Sequence, residues 1–214
     1  MPAPITKALA SRLAARHCWP MAKGKKTVSP DYLERAAFYY LSRYASSAGN
    51  LRRVLRNKVR RRSQAGLGPP PEAARWISDV VAKCLRLGLV DDRGYGRLKI
   101  RSMLRSGKSL RRIRAYLMSK AIDSELIDQL IAERAGPDGA VEFGAAMTFA
   151  KRRRLGPFAR PRDESDEAAR ARREKALGAF SRAGFPFPVA KLILDSKNVA
   201  ELEALASELV DQSP

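Results

Sequence analysis

Apolar residues recur three and four positions apart along most of this sequence, the spacing that places them on one face of an α-helix. The first stripe follows Ser29-Pro30-Asp31, a segment typical of a helix start. Its predicted buried residues are Tyr32, Leu33, Ala36, Ala37, Tyr40, Leu41 and Tyr44. Asn50 is the predicted N-cap of a second helix over 51–62. After a proline-rich loop at 66–71, a third helix is predicted on Trp76, Ile77, Val80, Val81, Cys84 and Leu85.

The same helical spacing continues toward the C-terminus. Three capping segments introduce the next predicted helices: Asp91-Asp92-Arg93-Gly94-Tyr95, Ser109, and Asp123 or Ser124. Further helices are predicted around 141–154, 165–182, 186–193 and 199–209. No segment alternates apolar and polar residues convincingly with the period of a strand, so the predicted fold class is all-α.

Two short internal matches indicate repetition. Leu51-Arg52-Arg53-Val54 resembles Leu110-Arg111-Arg112-Ile113 at an offset of 59, and the segment 117–122 resembles 180–185 at an offset of 63. With the helix spacing, they predict three related three-helix units stacked in series, since each is too small to bury its apolar face alone. The predicted boundaries are a basic arm at 1–30, repeats at 31–90, 91–137 and 138–195, and a C-terminal helix or tail at 196–214.

The net charge of the chain limits the classes of molecule that it is expected to bind. The 214 residues include 42 Lys and Arg but 22 Asp and Glu, which gives a formal net charge of +20. Such an excess implies an anionic partner, whether nucleic acid, a membrane surface or an acidic protein face. No apolar run approaches the length of a membrane-spanning helix, and Arg12 and Arg16 interrupt the arm. We expect a soluble protein of a reducing cytoplasm, with an organelle transit peptide at the N-terminus as the alternative.

The cations concentrate in two predicted helical regions. Residues 51–62 contain seven Lys or Arg and no acid, and those spaced four apart form a strip along one helix face. The predicted binding residues are Arg52, Arg53, Arg56, Lys58, Arg60, Arg61, Arg101, Arg105, Lys108, Arg111, Arg112 and Arg114. If the units stack in register, the strips line one groove for a phosphate backbone or an acidic protein surface. The alternative is an ordinary solvated helix face.

Catalytic chemistry is not indicated. His17 is the only histidine, so neither a catalytic triad nor a two-histidine metal site is available, and Cys18 and Cys84 do not make a zinc site. No phosphate-binding loop, dinucleotide fingerprint or nucleophile elbow is present in the sequence. We therefore expect no catalytic residue, no cofactor and no metal.

Two further groups have a structural interpretation beside a functional one. Asp91 and Asp92 resemble a carboxylate pair, but adjacent side chains at a helix start point apart and no histidine accompanies them. We predict an N-cap and a first-turn charge at a turn between repeats, in a motif with Gly88 and Tyr95. The tyrosines 39, 40 and 44 could stack on bases, although Tyr40 and Tyr44 fit the apolar stripe, which favours core packing. Trp19 is a candidate partner anchor.

Three segments of the sequence resemble the RecX family of bacterial recombinase regulators. They are 32–36 through 40–43 with 51–55, the motif Gly88-Leu89-Val90-Asp91-Asp92-Arg93-Gly94-Tyr95, and 106–109 through 117–122, in which Ala121 replaces a usual glycine. The resemblance implies an elongated, curved array of three tandem three-helix repeats. It also implies a cytoplasmic bacterial protein, expected to be monomeric. This protein would bind RecA–DNA filaments and reduce strand exchange, ATP hydrolysis and co-protease function in the SOS response.

The residues alone leave two other hypotheses open. One is a stand-alone module that binds single- or double-stranded DNA, or RNA, through its backbone without help from a protein. The other is a helical scaffold for acidic proteins. All three hypotheses require basic helices, so composition does not separate them. A steep loss of affinity with salt would indicate phosphate contacts, whereas a requirement for the recombinase at moderate salt would indicate the family's function.

Overall fold

A computed structural model of the chain describes residues 28–63, 69–135, 139–161, 163 and 165–211. All regular structure within these ranges is helical, which confirms the predicted fold class. The α-helices are α1 (Pro30–Arg43), α2 (Ala48–Ser63), α3 (Ala73–Arg86), α4 (Asp92–Arg105), α5 (Leu110–Ser119), α6 (Ser124–Ala135), α7 (Ala140–Arg153), α8 (Asp166–Ala183), α9 (Phe187–Asp195) and α10 (Val199–Asp211). A short 3-10 helix covers Gly156–Phe158. The arm residues His17, Cys18 and Trp19 lie outside the described residues.

The chain divides into two compact units. Unit 1 comprises Met1–Tyr95 and Lys120–Ile122, and unit 2 comprises Gly96–Ser119 and Asp123–Pro214. Within the described residues, unit 1 therefore contains α1, α2, α3 and the first turn of α4, together with the short segment that follows α5. Unit 2 contains the remaining helices. The repeat boundaries predicted at 90/91 and 137/138 stay predictions.

In unit 1, α1, α2 and α3 pack on one another around a single apolar core. Its fully buried side chains are Leu33, Ala37, Leu51, Leu55, Val81 and Cys84. The predicted stripe of α1 is correct for Leu33, Ala36, Ala37 and Leu41 but wrong for Tyr44, which is 57% exposed. Leu85 of α3 is likewise exposed, and Phe38, which the spacing missed, is buried. Gly88 ends α3 with a φ of +64°, a conformation that strongly favours glycine.

Unit 2 is built around the aromatic rings of Phe149, Phe180 and Phe185, whose centroids lie 5.2 to 5.7 Å apart. Helix α9 packs on α8 and α7, α6 packs on α5 and α7, and α10 packs on α7. Leu202 of α10 is fully buried, so the segment after residue 195 belongs to the packed part of this unit. The side chains of α5 that face the core are Ile113 and Leu117.

The start of α2 differs from its predicted position. The helix begins at Ala48, and the Ser47 hydroxyl accepts a hydrogen bond from the Asn50 backbone N–H at 3.2 Å, so Ser47 and not Asn50 is the N-cap. Asn50 is buried inside the first turn, where its side-chain amide donates to the Tyr40 hydroxyl at 3.0 Å. The prediction failed because Ala48 and Gly49 continue a run of small residues that is typical of a loop.

Candidate nucleic-acid interface

Asp91 and Asp92 bind different helix ends. The exposed Asp91 carboxylate accepts a hydrogen bond from the Gly94 backbone N–H at 3.0 Å, which places Asp91 at the N-cap position of α4. The half-buried Asp92 carboxylate accepts from the backbone N–H of Ala48, the first residue of α2, at 2.7 Å. One aspartate therefore caps its own helix, and the other satisfies an N-terminal donor of a helix 44 residues earlier in the chain.

The electrostatic surroundings of Asp92 favour its protonated form. Burial raises the pKa of Asp92, and the nearby Asp91 carboxylate adds to the rise. The hydrogen bond from Ala48 and the positive charge of Arg52 act in the opposite direction. Arg52 thus lies close enough to Asp92 to affect its titration, which distinguishes Arg52 from the other cations of α2.

Ser47 completes this arrangement in unit 1. Its hydroxyl donates a hydrogen bond to the backbone carbonyl of Lys120, 73 residues later in the sequence. The next residue, Ala121, has a φ of +53°, and Ile122 is buried. We refer to the contacts of Ser47, Ala48, Asp92 and Lys120 as the first joint.

Unit 2 contains a matching set of contacts, the second joint. The Ser109 hydroxyl donates to the Ala183 carbonyl at 2.6 Å, and the backbone N–H of Leu110 donates to the Glu142 carboxylate at 2.9 Å. Gly184 then adopts a φ of +85°. Burial raises the pKa of Glu142, and the hydrogen bond from Leu110 opposes the rise.

The two joints fix the repeat register. They align α2 with α5 at an offset of 62, because Ser47 corresponds to Ser109 and the fully buried Leu51 and Leu55 correspond to Ile113 and Leu117. The predicted offset of 59 is therefore wrong by three residues, since it paired the fully buried Leu51 with the half-buried Leu110. The offset of 63 agrees with the structure, because the positive-φ residues Ala121 and Gly184 and the buried Ile122 and Phe185 correspond.

The cations of α2 lie opposite its packed face. Leu51, Leu55 and Val59 are buried, whereas Arg53, Arg56, Arg60 and Arg61 are exposed and Arg52 and Lys58 are half-buried. Within the described part of the chain, Arg56 and Arg60 form no ion pair. Arg53 donates to the Asn50 side-chain oxygen at 2.5 Å. We name Arg52, Arg53, Arg56 and Arg60 the α2 cation strip.

This strip belongs to a longer acid-free stretch. From Arg35 to Pro71 the sequence contains nine Lys or Arg and no Asp or Glu. Glu34, immediately before the stretch, pairs with Lys83 of α3 at 2.7 Å and so does not neutralise α2. A surface with this composition attracts polyanions, because each phosphate contact releases condensed counterions.

Three tyrosines of unit 1 lie beside these cations. Tyr39 and Tyr44 are 53% and 57% exposed, while Tyr40 is half-buried and its ring lies 5.3 Å from that of Tyr44. The Arg43 guanidinium lies over the Tyr39 ring at 4.5 Å. Core packing, the interpretation that the apolar pattern favours for Tyr40 and Tyr44, is therefore wrong for Tyr44, and Tyr39 is exposed as well.

The predicted cations of unit 2 fall into two groups. Arg101, Arg105, Arg111 and Arg112 are exposed and Lys108 is half-buried. Arg114 instead pairs with Asp128 through both ends of its guanidinium, including a contact from Nη2 to Oδ2 at 2.9 Å, so its charge is neutralised within the repeat. This makes Arg114 the weakest candidate of the predicted set.

One cationic segment of unit 2 was missed by the sequence prediction. Lys151, Arg152, Arg153 and Arg154 end α7 and are all exposed. The Arg152 side chain donates to the Ser106 carbonyl at 2.8 Å, so this segment lies beside the turn that carries Arg105 and Lys108. The signal was present as four consecutive cations, but the spacing was interpreted only as a helix end.

The described residues contain no group of three or more His, Cys, Asp or Glu side chains placed to hold a metal ion. Burial, with the Glu34 charge, raises the pKa of the Cys84 thiol to about 11, so this thiol stays protonated and unreactive near neutral pH. None of the described helices has both the length and the apolar character needed to cross a membrane.

Comparison with known proteins identifies the family. The family described as RecX, second three-helix domain, matches residues 91–131. The regulatory protein RecX of Myxococcus xanthus is 37% identical over 174 residues, which cover 81% of this chain and 90% of the relative. That of Agrobacterium fabrum is 27% identical over 178 residues, covering 83% and 89%.

Two crystal structures share the fold. A structure of regulatory protein RecX has a TM-score of 0.59 at 21% identity, covering 78% of this chain and 73% of that one. RecX from Lactobacillus salivarius has a TM-score of 0.56 at 18% identity, covering 82% and 97%. The identity to the Myxococcus relative over most of both chains, together with this helical architecture, shows that the chain belongs to the RecX family of regulatory proteins.

Proposed function

We propose that this protein binds RecA–DNA filaments and modulates, mainly by inhibition, the recombinase, ATPase and co-protease activities of RecA during DNA repair and the SOS response. It acts as a non-enzymatic monomer in the bacterial cytoplasm and needs no cofactor. Membership of the RecX family supports this proposal. The observation that carries it is the α2 cation strip, whose charges face away from the core and match a polyanionic filament.

The experiment measures ATP hydrolysis by the cognate RecA on single-stranded DNA. The protein is added after filaments have formed, well below one copy per RecA subunit, and at a salt concentration that weakens simple competition for DNA. We expect a marked fall in the hydrolysis rate. Such a fall would mean action on the filament itself, because too few molecules are present to coat the DNA. An unchanged rate, alongside binding to naked DNA, contradicts the proposal and supports the stand-alone nucleic-acid-binding module.

Charge-reversed variants test the strip itself. Arg56→Glu with Arg60→Glu removes exposed cations from α2 while leaving Arg52, the neighbour of Asp92, in place. The matched control reverses Arg75 and Arg86, exposed cations of α3 in the same unit, with the same change in net charge. We expect the α2 variant to lose filament binding and inhibition and the α3 variant to retain both. Equal effects of the two variants would mean that net charge alone determines binding.

A further inference from the structure

We propose that Tyr39 and Tyr44 of unit 1 form a base-stacking platform for single-stranded nucleic acid, with the α2 cation strip holding the phosphates of the same strand. This inference deepens the proposed function, on which it rests for the assignment of the strip to nucleic acid. Beyond a general affinity for polyanions, it specifies which part of the ligand each side chain recognises and requires that the bases be unpaired.

The rings of Tyr39 and Tyr44 are exposed. More than half of the surface of each side chain faces solvent, although the flanking residues of α1, Phe38 and Leu41, are buried. Tyr32, by contrast, is half-buried beneath the Arg62 guanidinium, which lies 3.7 Å from its ring centroid. Tyr39 and Tyr44 are therefore the aromatic side chains of α1 and its C-cap that keep more than half of their surface accessible, although the Arg43 guanidinium lies over the Tyr39 ring.

Tyr44 is connected to the α2 cation strip through a chain of direct contacts. The Tyr44 ring packs on Tyr40, the Tyr40 hydroxyl accepts a hydrogen bond from Asn50, and Asn50 in turn accepts one from Arg53 of the strip. Arg43 lies over Tyr39 on the same helix. The Tyr44 ring is thus linked by contacts to a guanidinium group of the strip, and the Tyr39 ring has the Arg43 guanidinium beside it, so each ring has a cation near it, which fits a strand whose bases and phosphates alternate.

Exposed tyrosine rings beside cations fit single-stranded nucleic acid as the class of ligand. Base stacking on aromatic side chains tolerates any base sequence and is available only to unpaired bases, since duplex bases stack on one another. The absence of acids from 35–71 suits a ligand that is anionic throughout. An acidic peptide would meet the cations equally well but offers no regular set of flat rings for Tyr39 and Tyr44.

The test compares two oligonucleotides with the full-length protein and without RecA. One is oligo(dT), and the other has the same length and backbone but abasic residues in place of thymidine. We expect tighter binding of oligo(dT), by at least about fivefold for each stacked base. Tyr39→Ala with Tyr44→Ala should abolish this preference while leaving affinity for the abasic strand unchanged. Arg56→Glu with Arg60→Glu should weaken binding of both strands.

Two control variants make the test specific. Tyr39→Phe with Tyr44→Phe keeps both rings and should retain the preference. Phe187→Ala removes an aromatic side chain of unit 2 that is 64% exposed and should change neither affinity. As a measurement on the unaltered protein, ultraviolet crosslinking to 5-iodouracil-substituted DNA should label Tyr39 or Tyr44.

Equal affinity of the unaltered protein for the two strands would overturn the platform. A preference for oligo(dT) that survives the double alanine substitution would also overturn it, as would crosslinks confined to other residues. Loss of RecA inhibition in the alanine variant, with unchanged oligonucleotide binding, would assign these tyrosines to a protein contact instead. Because RecA is absent from the binding test, failure of the platform leaves inhibition of the filament intact and separately measurable.

Discussion

Each joint contains one close contact in which one residue is a glycine, and the glycine is on opposite sides of the contact in the two joints. In the first joint, Gly49 lies in the first turn of α2 against Ala121, and a Cβ added to Gly49 would lie 2.4 Å from the Ala121 backbone oxygen and 2.5 Å from the Ala121 Cβ. In the second joint, the helix residue is Arg111 and its partner is Gly184, so the side chain is on the opposite member of the pair. Ala121, the residue that departs from the family's usual glycine, is accommodated because Gly49 has no side chain.

We therefore predict that Gly49→Ala destabilises unit 1 by about 1–3 kcal/mol, since the new methyl group overlaps Ala121. Ala121→Gly should raise stability by up to about 1 kcal/mol, because its φ of +53° is unfavourable for alanine. The loss caused by Gly49→Ala should be smaller in the Ala121→Gly background. Urea unfolding of all four combinations measures this coupling, and strictly additive effects would contradict the compensation.

At each joint, a buried or half-buried carboxylate of one helix accepts a hydrogen bond from the first backbone N–H of another helix. Glu142 receives the first N–H of α5, and Asp92 that of α2. A carboxylate whose pKa is raised by folding binds its proton more tightly in the folded state than in the unfolded state. Its contribution therefore favours folding at low pH and is lost as the pH rises from the ordinary pKa of the unfolded chain through the raised folded value.

Glu142→Gln isolates this effect, because the amide keeps an acceptor oxygen for Leu110 but does not titrate. We predict that the free energy of unfolding of the unaltered protein, relative to that of the glutamine variant, decreases from about pH 4 upward and then levels off. Chemical unfolding at a series of pH values measures the difference. A difference that increases with pH would mean that the ionised carboxylate is the favoured partner of α5.

The sequence predicted the helices well but their contacts poorly. Apolar spacing located Leu33, Ile77 and Ile113, because burial of a helix face leaves a period along the chain. It could not show that Ser47 bonds to Lys120, since a hydrogen bond between positions 73 residues apart leaves no periodic trace. The exposed Tyr44 was missed because α1 ends at Arg43, so the helical period no longer determines where the next side chain points.

At the scale of the whole molecule, the net charge of +20 acts against folding. The ion pairs within the described residues, such as Arg97–Glu133 and Arg75–Asp79, join partly or largely exposed side chains and so contribute little. The cationic surface could be predicted from composition. Which cations form ion pairs, for example Arg114 with Asp128, could be seen only in the folded structure.

We predict that the melting temperature rises with sodium chloride between about 0.05 and 0.5 M, because screening over the Debye length reduces repulsion more than it weakens exposed pairs. Each 1 kcal/mol gained corresponds to about 2–4 °C for a chain of this length. Arg56→Glu with Arg60→Glu replaces two positive charges with two negative ones, which lowers the net charge from +20 to +16, and should reduce the slope. Thermal melts that shift downward with salt would show that ion pairs outweigh repulsion.

The first joint has a consequence for synthesis on the ribosome. Ser47 emerges long before Lys120, the residue whose carbonyl it binds, and the 73 residues between them take about 4 to 15 s to translate at 5–20 residues per second. During that interval α1, α2 and α3 can pack, but the start of α2 gains Asp92 only after α3 has been made, and Lys120 later still. The N-terminal unit therefore completes this joint only after Lys120 has been synthesised, and a stall before that codon leaves the Ser47 hydroxyl without this acceptor.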